Sequence, residues 1–146
     1  ASEKSKQLFY TNDRVFLTAS SGTGLQEAAV RNFVHKRVLC VVNGAFASRW
    51  FEVSVYNAKE TDELAFDWDT PASPHQVAEA VKTGGYEAVT IVHNETSTGL
   101  QNPVKEIVQA VREVAPDTLI LVDAVSSLGG AKIEMDAWGI DMLLTS

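Results

Sequence analysis

Short apolar runs that do not alternate with polar residues constrain this chain more than any other feature. Residues 38–42, 88–92 and 119–122 are continuous or nearly continuous stretches of Val, Leu, Ile, Ala and Cys. A strand with one buried face alternates; a strand buried on both faces reads as an unbroken apolar run. Between these runs lie segments with helical spacing. Val104, Ile107, Val108 and Val111 recur at intervals of 0, 3, 4 and 7, one face of an α-helix. Buried strands alternating with amphipathic helices make the βαβα pattern of a parallel sheet covered by helices. The expected fold class is α/β, an α-β-α sandwich with a mostly parallel sheet.

The remaining pattern fills in around that frame. Residues 15–18 read as a further strand ended by Ser20-Ser21-Gly22, and residues 25–33 as a helix. Residues 46–56 read as a helix with Trp50, Val53 and Val55 inward, and residues 63–66 as a weaker, half-polar strand. A loop with two prolines covers residues 67–74, and residues 75–82 carry a short helical face. Asn102 reads as an N-cap with Pro103 in the first helical position. Residues 141–144 begin another strand.

The chain has 146 residues, 45% of them apolar, enough to bury a core. No apolar run approaches the ~20 residues that span a bilayer. A net charge of -7 argues against nucleic acid or an anionic membrane as the main partner. Cys40 is alone, so no internal disulfide forms, and a reducing compartment is expected. The polar start, ASEKSKQ, carries no signal-peptide pattern, so a cytoplasmic location is expected. The chain stops directly after an apolar run and starts as abruptly, which reads as a piece of a longer protein.

Ligands of open parallel sheets bind outside the carboxyl ends of the strands. The polar residues collect there: Ser20-Ser21-Gly22-Thr23-Gly24, Asn43-Gly44-Ala45-Phe46, His93-Asn94-Glu95-Thr96-Ser97-Thr98-Gly99 and Asp123-Ala124-Val125-Ser126-Ser127. Ser21, Gly22 and Thr23 precede a helix and suit either a phosphate or a simple turn and cap, since Thr23 with Gln26 fits a capping box. Asp123 closes an apolar strand, where a carboxylate is costly without a cation. It serves as counter-charge to a protonated ring nitrogen, as a metal ligand, or as a helix cap or structural hydrogen-bond acceptor. Phe46 is a core aromatic or a platform for a flat ring, with Gly44 allowing close approach. His93 and Glu95 lack the spacing of a helix-borne metal motif, so no metal is expected; His93 reads as a hydrogen-bonded strand-end histidine. His35 and His75 read as surface residues and Cys40 as core. Arg49 and Trp50 either bind or pack.

Together these motifs resemble the class V aminotransferases, and within them the serine–pyruvate / alanine–glyoxylate group. Ser21-Gly22-Thr23-Gly24-x-x-Glu27-Ala28-Ala29, Asn43-Gly44-x-Phe46-x-x-Arg49-Trp50, His93 to Gly99 and Val122 to Gly130 carry the resemblance, in order and over nearly the whole chain. It implies the large domain of a fold-type-I enzyme that depends on pyridoxal 5'-phosphate. It implies that Ser21, Gly22 and Thr23 hold the cofactor phosphate, that Phe46 stacks on the pyridine ring, and that Val125 packs on the opposite face. Asp123 would pair with the ring nitrogen, the one catalytic residue of the set, and Thr96 would lie near the 3-hydroxyl. The implied substrates are a small amino acid such as serine or alanine and a 2-oxo acid such as glyoxylate or pyruvate, in a homodimer. Phe46, where related desulfurases carry histidine, favours an aminotransferase; Ala47 departs from the glycine common after that aromatic. By the same resemblance the Schiff-base lysine, the substrate arginine and the small domain fall outside residues 1–146, so this chain alone would not transaminate. The alternatives are another fold-type-I enzyme (a cysteine desulfurase, lyase or kynureninase-like hydrolase) or a non-catalytic α/β binding module.

Overall fold

The computed structural model describes residues 2–146. In chain order the elements are α1 (Ser2–Phe9), α2 (Gly22–Phe33), β1 (Arg37–Val42), α3 (Ala45–Tyr56), β2 (Glu60–Ala65), α4 (Pro74–Gly84), β3 (Ala88–Val92), β4 (Asn94–Glu95), β5 (Leu100–Gln101), α5 (Val104–Val114), β6 (Leu119–Asp123), α6 (Met135–Trp138) and β7 (Met142–Leu144). Five strands form one sheet in the order β2-β1-β3-β6-β7, and every pair is parallel. β4 and β5 make a two-residue antiparallel hairpin beside it. No helix of the described residues is long and apolar enough to cross a membrane.

The continuous apolar runs bury both faces of the sheet. Along β1, Val38, Cys40 and Val42 pack with Ala29 and Val30 of α2 and Trp50 of α3. The intervening Leu39 and Val41 pack with α4 and α5 on the other side. The same two-residue alternation divides β3 and β6, which yields three layers. All four apolar positions of the α5 stripe, Val104, Ile107, Val108 and Val111, are buried. Each such side chain contributes roughly 1.5–3 kcal/mol on leaving water.

Three expectations fail, each for a physical reason. Residues 15–18 form no strand; Phe16 and Leu17 are 81% and 68% exposed. The run has no neighbouring strand to pair with, and strand propensity is realised only against a partner. Val55 does not face inward. It lies five residues, about 140° of helix rotation, from Trp50. Ser54, one turn after Trp50, takes the buried place and donates to the Trp50 carbonyl at 2.9 Å. Asn102 does not cap α5, and Pro103 precedes the helix instead of opening it. The Asn102 side chain accepts from Asn43 Nδ2 (2.8 Å) and the Ala72 N–H (2.9 Å) and donates to the Val92 carbonyl (2.8 Å). It ties the ends of β1 and β3 to the loop before α4. The short elements α1, α6 and the β4–β5 hairpin have no counterpart in the sequence reading.

Candidate functional site

The sheet order reverses its direction of growth between β1 and β3. From β1 the chain moves outward to β2; from β3 it moves the other way, to β6 and β7. Loops leaving neighbouring strands on the two sides of such a point separate and open a crevice at the carboxyl edge. A small cavity of about 120 Å³ lies there, lined by Gly22, Phe46, Val92, Asn94, Thr96, Asp123, Val125 and Ser126. Four chain segments that are remote in sequence thus meet in one place. Ser21 and Thr23 flank Gly22 at the same end of α2.

Asp123 ends β6 and is 4% exposed. Its Oδ1 accepts from the Val125 N–H at 2.9 Å, and its Oδ2 accepts from Gln26 Nε2 at 2.7 Å. Both donors are neutral, and among the described residues no cation pairs with it. Burial raises the Asp123 pKa above its ordinary value. The Val125 and Gln26 hydrogen bonds pull the other way, and the negative charge of Glu95 adds a smaller upward push. A buried carboxylate so placed calls for a cationic N–H donor.

Phe46 and Val125 present partly exposed apolar side chains to this cavity, 47% and 37% accessible. They are surfaces available to a flat ring. Thr96 is exposed and offers a hydroxyl at the rim. Ser21 is the N-cap of α2, its Oγ accepting from the Gly24 N–H at 3.2 Å. The Gly22 and Thr23 N–H groups precede the first intrahelical bond and remain available to an anion. A Cβ on Gly22 would come within 3.0 Å of Val125 Cγ2, so a larger residue would crowd the wall of the cavity. The Thr23–Gln26 capping box does not form. Gln26 turns its amide inward to Asp123, and Ser21 does the capping.

The roles of two residues here went unread in the sequence. One is Gln26, 1% exposed. The other is Glu95, which is fully buried. Its carboxylate accepts from the Phe46 and Ala47 N–H groups and from the Ser97 N–H and hydroxyl. Ser97 Oγ accepts in turn from the Ala45 N–H at 3.0 Å. Glu95 and Ser97 therefore cap the start of α3 from another loop, because the local N-cap position, Gly44, has no side chain to do it. A Cβ at Gly44 would overlap Glu95 Cγ and Cδ. The close approach that Gly44 permits is to this carboxylate.

His93 is buried between two partners. Gln101 Nε2 donates to its Nε2, leaving the Nδ1 proton for Ser127 Oγ, both at 2.9 Å. Burial lowers its pKa below the usual histidine value. Among the described residues no three His, Cys, Asp or Glu side chains gather as a metal site. His35 and His75 are exposed. Cys40 is fully buried, with its thiol pushed up to about 11 by burial, which makes it a poor nucleophile. Trp50 is core, and Arg49 is exposed and paired with Glu52. A larger hollow, about 740 Å³, lies along residues 9–18, α2 and β7. Its walls are mainly apolar, and it lies apart from Asp123, Phe46 and Thr96.

Comparison with known proteins bears on the family and the fold. The family model for class-V aminotransferases matches residues 17–146. The chain is 39% identical to an uncharacterized aminotransferase of Methanocaldococcus jannaschii, over 98% of this chain and 37% of that protein. It is 31% identical to the serine–glyoxylate aminotransferase of Methylorubrum extorquens, over 95% and 36% respectively. Among solved structures, an aspartate aminotransferase of subgroup IV from Thermus thermophilus superposes with a TM-score of 0.91 at 29% identity, over 99% of this chain and 41% of that one. The chain spans a little over a third of the length of the curated relatives it matches.

Proposed function

Because the chain belongs to the class-V aminotransferase family, we propose that it forms the cofactor-binding part of an aminotransferase that uses pyridoxal 5'-phosphate. The reaction is transfer of an amino group from a small amino acid, of the serine or alanine type, to a 2-oxo acid such as glyoxylate or pyruvate. The observation that carries this reading is Asp123: a buried carboxylate at the end of β6, held by two neutral donors and open to a cationic one. The relatives named for serine–glyoxylate and alanine–glyoxylate transfer support the substrate class.

The residues present fit the cofactor. Free N–H groups at the start of α2, with the Ser21 and Thr23 hydroxyls, suit a phosphate. Phe46 and Val125 offer apolar surface to a pyridine ring. Thr96 supplies a hydroxyl at the rim, and the absence of a side chain at Gly22 lets the first turn of α2 lie close to Val125. When bound, pyridoxal 5'-phosphate supplies an electron sink for the charge left as an amino acid loses its α-proton. Asp123 holds the proton on the ring nitrogen, and its burial makes that charge pairing stronger than it is in water. Phe46 and Val125 keep the ring in place and exclude water from its faces. Glu95 fixes the backbone from which Phe46 projects.

The test is to express the protein at full length, titrate it with pyridoxal 5'-phosphate, and assay serine and alanine against glyoxylate and pyruvate. A visible absorption band from bound cofactor and formation of the new amino acid are the expected results. A folded protein that takes up no cofactor overturns the reading.

A further inference from the structure

Gln26 is an unusual residue for the inner face of α2. With Ala29 and Val30 it is one of the buried residues of α2, and its Oε1 has no hydrogen-bond partner among the described residues. A buried, unpaired carbonyl oxygen costs stability, so fold stability alone does not account for this side chain. Its other end is fully used. Nε2 donates to Asp123 Oδ2 at 2.7 Å and reaches the Phe46 carbonyl at 3.5 Å. The amide thus bridges the carboxylate at the end of β6 and the backbone of the aromatic at the start of α3. It does so from the helix whose first turn carries Ser21, Gly22 and Thr23.

We propose that Gln26 is a positioning residue for the cofactor: its amide keeps the Asp123 carboxylate and the Phe46 backbone in register with the phosphate-binding turn of α2. This rests on the functional reading above. The Val125 N–H fixes one oxygen of Asp123 and Gln26 fixes the other, so the carboxylate cannot rotate about its last bond. Each oxygen keeps a lone pair for an incoming ring N–H. Without Gln26, the second oxygen loses its only donor among the described residues, and the plane of the carboxylate is no longer set.

The experiment uses the full-length protein with pyridoxal 5'-phosphate itself as probe. Gln26→Met keeps the length and volume of the side chain, removes the unpaired oxygen, and deletes the donor. Three quantities are read: the melting temperature of the apoprotein, the dissociation constant of the cofactor, and the visible circular dichroism of the bound form, which reports ring orientation. The expected result is an apoprotein melting within about 4 °C of wild type, cofactor binding weakened about tenfold or more, and an altered dichroism band. Gln26→Asn, which keeps the amide but ends one methylene short of Asp123, should show the same loss and carries the test if Gln26→Met does not fold. A folded variant with wild-type affinity and an unchanged band overturns the inference while leaving the functional reading intact. A loss of affinity matched by a lowered apoprotein melting temperature marks a merely structural role and also overturns it. Wild-type protein that binds no cofactor overturns the functional reading itself, and this inference with it.

Discussion

Asp123 shows how one side chain can work against the fold that holds it. As a buried anion with only neutral donors, it is a cost to the empty protein. Asp123→Asn removes that charge, and the new Nδ2 can donate to Gln26 Oε1 once the glutamine amide turns over. The apoprotein should therefore melt at the same temperature or higher, checked by differential scanning fluorimetry. On the proposed function, amino transfer by the same variant of the full-length protein should fall about a hundredfold or more in kcat/KM, because the ring-nitrogen proton would lose its counter-charge. His93 provides a second residue-scale test. Its folded pKa lies below the unfolded value of about 6.5, so the unfolded chain binds the proton more readily. The stabilisation is complete above about pH 6.5 and is lost as pH falls through the depressed folded value. Thermal melts between pH 7.5 and 5 should show this loss, and a His93→Asn variant should show a shallower decline over the same range. That Asp123 and Phe46 stand at the carboxyl edge of the sheet was legible, because a carboxylate after an apolar run and an aromatic in a small-residue turn are local anomalies. Gln26 was not, because its partner is 97 residues away and its spacing from Thr23 imitates a cap.

At the scale of the element, α3 starts without a capping side chain of its own and borrows Glu95 and Ser97 from the loop after β3. The arrangement requires a residue without Cβ at position 44. Gly44→Ala should destabilise the protein by about 1–3 kcal/mol through the overlap with Glu95, measurable by urea unfolding. Glu95→Gln should cost a similar amount, about 1–3 kcal/mol, because one end of the new amide presents donors to backbone donors. Elements set by their own periodicity were readable, α5 above all, since its stripe of four apolar positions needs no outside information. Elements set by a neighbour were not. Residues 15–18 look like a strand but find no partner, and Asn102 looks like a cap but spends its amide on Asn43, Ala72 and Val92.

At the scale of the whole molecule, the three-layer α/β plan followed from runs that are apolar on both faces. The strand order did not, because every buried parallel strand carries much the same signal. Yet that order creates the site, since the crevice exists only where β1 and β3 send the chain in opposite directions. Position in the sheet also ranks the strands by stability. β3 and β6 are paired on both sides and buried, whereas β2 is an edge strand with half-polar burial. Amide hydrogen exchange should accordingly be slowest in β3 and β6 and faster in β2. The cradle around Asp123 draws on α2, the start of α3, the loop after β3 and the end of β6. No local fragment of the chain can assemble it, so a ligand there recognises the closed sheet and nothing less folded. On the proposed function, a cofactor held there should act as a thermodynamic clamp on the native state. At a hundred times its dissociation constant it should add about 2.7 kcal/mol of stability, and the melting temperature should climb with cofactor concentration as a direct readout of how completely the four segments have come together.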